Sequence, residues 1–320
     1  MMGVVVGIRY TLRQLDYFIA AGEAGSIRHA SELLSISQPS ISTAISHLEQ
    51  ELGVQLFVRH HAQGLSLTHA GRELLVEARR IVQMAEALYT TASEATEQVR
   101  GQLSIGSMVT LAPMIMPALA HGFMSHYPMT EIRQLEADQE WLLDRLRRAQ
   151  IDLAITYDLQ VMDDMEFSPL ASLPPHVLVS EDHPFATRAE ISLAELAPEP
   201  LILLDLPLSR EYFFALFLKE GLEPKIYTRS AHQEVVRTMV ANGYGYTLAN
   251  VRPRSDRALD GRRVVTVPLA GDHRPMVIGT MTLARVRKPR LLEAFEEHCR
   301  IHISNRSIPG MFAPDASSDS

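Results

Sequence analysis

Residues 26–52 read SIRHASELLSISQPSISTAISHLEQEL, two short amphipathic segments separated by Ser35-Ile36-Ser37. In the second segment Ile41, Ile45, Leu48 and Leu52 stand four, three and four apart, one apolar stripe at a period of about 3.6 residues. At about 100° per residue, Pro39, Thr43, Ser46 and Gln50 fall opposite that stripe, and Ser42 and His47 flank it. Ser37 suits an N-cap, and Pro39 suits a first turn, where its missing N–H costs little. Upstream, Ser26 caps a shorter helix with Ala30, Leu33 and Leu34 turned inward, and the small Ala30 lets the two helices approach closely. The three residues between them match the turn of a helix-turn-helix. A helix rimmed by short hydroxyls and amides fits a groove about 12 Å wide and can meet base edges there. The same spacing also describes two core helices of any globular domain.

The flanking sequence narrows the choice. Thr11 can cap a helix through about Gly22, with Leu12, Leu15, Phe18 and Ile19 inward. After Gly53 the period changes, and Leu56, Val58, Leu65 and Leu67 alternate with polar residues over VQLFVRHHAQGLSLT. That pattern predicts two short strands joined near His60–Gly64, a wing from which Arg59 can reach backbone phosphate. Thr68 then opens the most regular element. Leu74, Ala78, Ile81, Ala85, Leu88, Ala92, Ala95 and Val99 follow one another at steps of four and three, a heptad seam. So long a stripe predicts a helix pairing with a second copy, a homodimer through residues 74–99 that presents two reading helices to a palindromic site.

Three strings, LRQLDYFIAAGEAGSIRHASELL, SISQPSISTAISHLEQELGVQLFVR and LSLTHAGRELLVEAR, resemble in order the N-terminal domain of LysR-type transcriptional regulators. The resemblance covers residues 12 to about 98. It implies a winged helix-turn-helix whose second helix enters the major groove at Gln38, Pro39 and Ser42, with Arg59 on the wing. Ser40, Thr43, Ser46 and His47 complete the candidate DNA contacts. Members often carry an arginine where this chain has Thr43, so an altered base preference or weaker affinity is expected. Charge adds an objection. The net charge is −8, and residues 26–80 hold five arginines against five glutamates. An electrostatic footprint must come from placement.

Length and composition set the frame for the rest. The chain has 320 residues, 46% hydrophobic and 21% charged, which suits a soluble protein of two or three domains. Its one cysteine, Cys299, excludes an internal disulfide and fits a reducing cytoplasm. No apolar run reaches membrane-spanning length, and the start lacks the basic region of a signal peptide. The domains predicted are residues 1–68, the winged helix-turn-helix; 69–99, the linker helix; 100–304, an effector domain; and 305–320, a disordered tail.

Beyond Gly101 strands and helices alternate, the signature of an α/β domain with a largely parallel sheet. Leu103 and Ile105 alternate in a strand before Gly106 turns into a helix. Strands follow near 131–135 and 153–155, then one from about Met165 to Ser180, and others at 201–204, 246–248, 264–267 and 276–283. The strings GQLSIGSMVTLAPMIMPAL, RAQIDLAITYDL and ANGYGYTLAN resemble the LysR effector domain. That likeness implies a periplasmic-binding-protein-like pair of lobes around a small-molecule cleft. Lobe one is expected at about 101–161 and 269–304, and lobe two at about 162–268. Ligands of open α/β sheets bind at the carboxyl ends of strands. Candidate effector contacts are therefore Ser107 and Thr110, Tyr157, Ser209 and Arg210, Gln233 and Thr247. Hydroxyls at helix starts and an arginine able to fork onto a carboxylate suggest a small organic acid.

The function expected is a promoter-binding regulator, dimer or tetramer, modulated by a small-molecule effector and able to contact RNA polymerase. No cofactor is expected. The rival is a small-molecule-binding α/β protein with enzymatic activity. Against it, the chain has no G-x-S-x-G, H-E-x-x-H, P-loop or dinucleotide glycine fingerprint. His176 and His183 are too loosely placed for a metal pair.

Overall fold

The computed structural model describes residues 8–60, 64–94 and 99–314. The chain divides into two compact units, residues 1–97 with Arg148–Gln150, and residues 98–147 with 151–320. The first begins with α1 (Leu12–Ala24), α2 (Ile27–Leu34) and α3 (Gln38–Leu52). Side-chain caps start all three. Thr11 forms a capping box with Gln14, Ser26 accepts from the His29 amide at 3.4 Å, and Ser37 accepts from the Ser40 amide at 3.3 Å. Such caps stabilise a helix by about 1 kcal/mol each. Ser35 turns the chain between α2 and α3 at φ 53°. Leu15, Phe18, Ala21, Ala30, Ile41, Ile45, Leu48, Leu56 and Phe57 form one buried core. Leu33, expected inside, is instead 64% exposed, because Ala30 and Leu34 already fill the face that α2 turns to its neighbours.

β1 (Phe57–His60) and β2 (Gly64–Leu67) pair antiparallel, Phe57 opposite Leu67 and His60 opposite Gly64, giving the expected wing. Thr68 accepts from the Gly71 amide at 2.9 Å and opens α4 (His69–Glu94). The start of the heptad stripe serves this unit's own core: Leu75 and Ala78 are buried, with Leu74 and Val82 packed beside them. Ile81 and Met84, farther along, are exposed. The seam from Leu88 onward lies outside the side chains described.

The second unit holds β3 (Gly101–Met108), α5 (Ala112–His126), β4 (Thr130–Ala137), α6 (Gln139–Arg147), β5 (Leu153–Tyr157) and β6 (Met165–Leu173). Then follow β7 (His176–Ser180), α7 (Leu193–Leu196), β8 (Leu201–Leu204), α8 (Ser209–Lys219), β9 (Ile226–Ser230) and α9 (Gln233–Ala241). β10 (Thr247–Ala249), β11 (Val264–Pro268), β12 (Met276–Leu283) and α10 (Arg290–His302) complete it. One sheet runs β4-β3-β5-β12-β6, parallel among its first three strands and antiparallel where β12 inserts between β5 and β6. A second runs β10-β7-β11, all antiparallel, beside a parallel β8-β9 pair. The sheets are thus mixed rather than largely parallel.

Four expectations change here. The strand expected over 165–180 is two strands, because Pro174-Pro175 supply no N–H donors and break the ladder. β6 pairs with β12 and so belongs to lobe one. The first crossover therefore lies at 174–175, not near 158–162, and the second follows Pro268 at 269–275. Gly106 is no turn but the middle of β3. A Cβ there would stand 2.5 Å from Leu142 Cδ2 and 2.7 Å from Ile151 Cδ1, so glycine lets α6 sit against the sheet. Finally, 305–314 is not a disordered tail: Ile308 and Met311 are buried in the main core. Residues 315–320 lie outside the described residues.

Candidate DNA-reading surface and effector cleft

On α3 the two faces separate cleanly. Ile41, Ile45 and Leu48 are buried, each worth about 1.5–3 kcal/mol on removal from water. Gln38, Pro39, Ser40, Thr43, Ser46 and His47 are exposed, and Ser42 is half-buried. His47 Nδ1 lies 3.4 Å from Gln14 Nε2, which ties the outer face of α3 to the start of α1. Beyond the helix, the Glu49 carboxylate accepts from the backbone amides of Leu56 at 2.8 Å and Phe57 at 3.2 Å. This buckle sets the wing's first strand against the end of α3. Backbone residue Arg59 sits mid-β1; its side chain lies outside those described, as do His61–Gln63.

Placement changes the local charge balance. Arg79 is buried and paired with Glu23 at 2.9 Å, and Arg80 pairs with Glu77 at 2.7 Å. Arg28 pairs with Glu32 at 3.2 Å, which holds the Glu32 carboxyl below its usual range. Glu49 is spent on backbone amides. The equal totals therefore do not describe what α3 and its surroundings present to a polyanion.

In the second unit the carboxyl ends of the strands gather the predicted effector residues unevenly. Thr110 and Tyr157 do meet: their hydroxyls lie 3.0 Å apart, both buried. Burial pushes the Tyr157 phenol up, while Thr110 and Asn250 oppose that by hydrogen bonding. Asn250, which follows β10, also donates to Met276 Sδ at 2.8 Å, so the two lobes touch at this network. Ser107, Ser209 and Gln233 each bury a side-chain oxygen that has no protein partner. α5, α8 and α9 all begin without a side-chain cap bond. Thr247 is buried in β10, its hydroxyl only 3.5 Å from the Leu248 carbonyl, and contributes to the core.

Arg210 departs from expectation. Its guanidinium pairs with Asp205 at 2.5 Å and Glu211 at 2.6 Å, and the Arg210 hydrogen bond holds the Asp205 carboxyl below the usual range. Arg274, in a crossover, pairs with Asp158 at 2.5 Å, whose other oxygen accepts from the Val277 amide at 2.9 Å. Neither arginine offers an unpaired fork to an anion. A cavity of about 710 Å³ lies elsewhere, lined by His126, Tyr127, Lys288, His298 and His302 among others. None of its buried polar atoms lacks a partner.

Two family profiles match the chain, "Bacterial regulatory helix-turn-helix protein, lysR family" over residues 12–72 and "LysR substrate binding domain" over residues 96–304. The chain belongs to the LysR family. Among its relatives, the "Hydrogen peroxide-inducible genes activator" of Dickeya chrysanthemi is 29% identical over 92% of this chain and 98% of that protein. The "DNA-binding transcriptional dual regulator OxyR" of Escherichia coli is 32% identical over 74% of this chain and 78% of its own length. Among solved structures, HinK, a LysR family regulator from Pseudomonas aeruginosa, shares 39% identity over 92% of this chain and 99% of that one, with a TM-score of 0.63.

This LysR-family protein is thus a DNA-binding transcriptional regulator, and the families it matches are regulators rather than enzymes. Among its described residues no helix is long and apolar enough to cross a membrane, and no group of three or more His, Cys, Asp or Glu could hold a metal ion. Three residues that shape these candidate sites escape the sequence reading: Glu49, which enters it only as one of five glutamates, Asp205, which pairs with Arg210, and Asn250, at the end of ANGYGYTLAN. Only the last carried a signal, an amide directly after a strand.

Proposed function

We propose that α3 lies in the major groove and contacts base edges through Gln38, Pro39, Ser40, Ser42, Thr43, Ser46 and His47, with Arg59 on the backbone. The observation that carries this is the face of exposed hydroxyls and amides set over a fully buried Ile41–Ile45–Leu48 stripe. The regulator works as a homodimer through α4, where Ile81 of the heptad stripe and Met84 beside the stripe are exposed, and two dimers pair as a tetramer. RNA polymerase is the partner that converts promoter occupancy into output. A footprint on DNA flanking its own gene tests this. Protection of dyad-related half-sites is expected about 10–10.5 base pairs apart or at multiples of that. Gln38→Ala with Thr43→Ala abolishes the protection without changing the melting temperature. An unchanged footprint in that double variant rejects the reading face.

The effector, we infer, binds between the lobes and is uncharged. An organic acid loses its support because Arg210 and Arg274 are each paired to carboxylates within the fold. What remains are neutral groups able to hydrogen-bond, the orphan oxygens of Ser107, Ser209 and Gln233 among them. The hydrogen peroxide of the relatives' names meets no exposed thiol here. The one cysteine, Cys299, is buried, and burial pushes its thiol up, away from the reactive thiolate. Matched probes test the effector class: acetamide against acetate, and benzamide against benzoate, in a thermal-shift series on the full-length protein. The amides raise the melting temperature and the acids do not. Asp205→Asn with Glu211→Gln frees Arg210 and turns the preference toward the acids. Stabilisation of the unaltered protein by acids alone overturns the assignment.

A further inference from the structure

The LysR match ends at residue 304, yet the chain continues as ordered structure to residue 314. The extra segment leaves α10 through a tight turn in which Ser304 and Ser307 exchange backbone hydrogen bonds of 2.8 and 3.1 Å. It then touches both lobes. On lobe one, Asn305 Oδ1 accepts from the Ser172 amide at 2.8 Å, at the end of β6 and two residues before the Pro174-Pro175 crossover. Gly310, at φ 69°, lies so close to α5 that a Cβ would stand 2.6 Å from the Met114 carbonyl oxygen. On lobe two, the segment runs as a short antiparallel ribbon beside the residues after β10. The Arg254 amide donates to the Gly310 carbonyl at 3.2 Å, and the Phe312 amide donates to the Arg252 carbonyl at 2.9 Å. Arg254 Nε reaches the Met311 carbonyl at 3.3 Å, and the Arg252 guanidinium stacks 4.8 Å over the Phe312 ring. Ile308 and Met311 are buried between these attachments.

We propose that residues 305–312 form a brace across the hinge of the effector domain, a third tie between the lobes besides the two crossovers at 174–175 and 269–275. Hinge closure around a ligand rotates one lobe on the other. With the brace anchored on both sides, that rotation has to shear either the Asn305–Ser172 and Gly310–Met114 contacts or the ribbon at 252–254. The brace therefore sets how readily the lobes change their angle, and with it the balance between the states an effector selects.

The test places spin labels on exposed positions, one per lobe, at Arg133→Cys and Glu220→Cys, and measures their separation within one chain. Labelled protein is diluted into unlabelled protein, and buried Cys299 stays unmodified. The intact chain gives one narrow distance distribution. Deletion of 305–320 broadens it at least twofold or adds a second distance. Because the deletion exposes Ile308's and Met311's former neighbours, Asn305→Ala with Phe312→Ala serves as a second variant that keeps both buried side chains. It is expected to broaden the distribution as well, and to speed exchange of the Ser172 amide at least tenfold. A distribution unchanged in the double variant, with Ser172 exchange accelerated, shows attachment without bracing and overturns the proposal.

Discussion

Thr43 stands exposed mid-face on α3. A hydroxyl there offers one donor and two acceptor positions but no charge for the backbone and no bidentate fork for guanine. Thr43→Arg is therefore expected to tighten DNA binding about tenfold and to steepen the dependence of log affinity on log salt by about one unit. Titration at several salt concentrations checks this, and a parallel line would mean that the new arginine touches no phosphate. His176 makes a prediction of a different kind. It is buried at the start of β7, and burial lowers its pKa from 6.5 to about 4. The unfolded chain then binds more protons than the folded one between those values, so stability falls as pH drops from about 6.5 to about 4. His176→Gln should flatten the melting temperature across that window. An equally steep curve in the variant would place the titrating group elsewhere.

Among elements, the wing depends on a single carboxylate. Glu49 accepts both the Leu56 and the Phe57 amide, and nothing else joins the end of α3 to β1 so directly. Glu49→Ala leaves two amides seeking partners and should cost about 1–3 kcal/mol of the first unit's stability. Glu49→Gln, which keeps one acceptor oxygen, should lose less; equal losses would argue that the charge and not the bond matters. This buckle was not legible in the sequence, because a bond across seven residues leaves no periodic trace. α3 and α4 were legible because each repeats an apolar stripe over several turns. So was β12, a largely apolar run over 276–283 that is buried along most of its length. β9 was missed because Tyr227 and Arg229 face outward and Ile226, Thr228 and Ser230 are only partly covered, too weak a signal over five residues. β6 and β7 merged on paper because both are strands, and only Pro174-Pro175 marked the break. In the candidate cleft, residue types at helix starts were readable. Which of them had already found partners was not, since Asp205 and Arg210 meet through a turn no spacing rule describes.

At the scale of the molecule, Ile81 and Met84 stand exposed on α4, a helix that the first unit covers only in part and through which the proposed dimer forms. Ile81→Glu with Met84→Glu should convert the regulator to monomer in sedimentation while its isolated melting transition persists. A dimer of undiminished stability would move the interface off α4. The order of strands in the effector domain has a consequence in time. β12 sits between β5 and β6, so the first lobe's sheet cannot close until Leu283 is made, whereas the DNA-reading unit is complete by α4. At about 5–20 residues per second of synthesis, roughly 10–40 s separate the two events. Each nascent chain thus passes through an interval in which its helix-turn-helix and wing are complete while its effector domain is not.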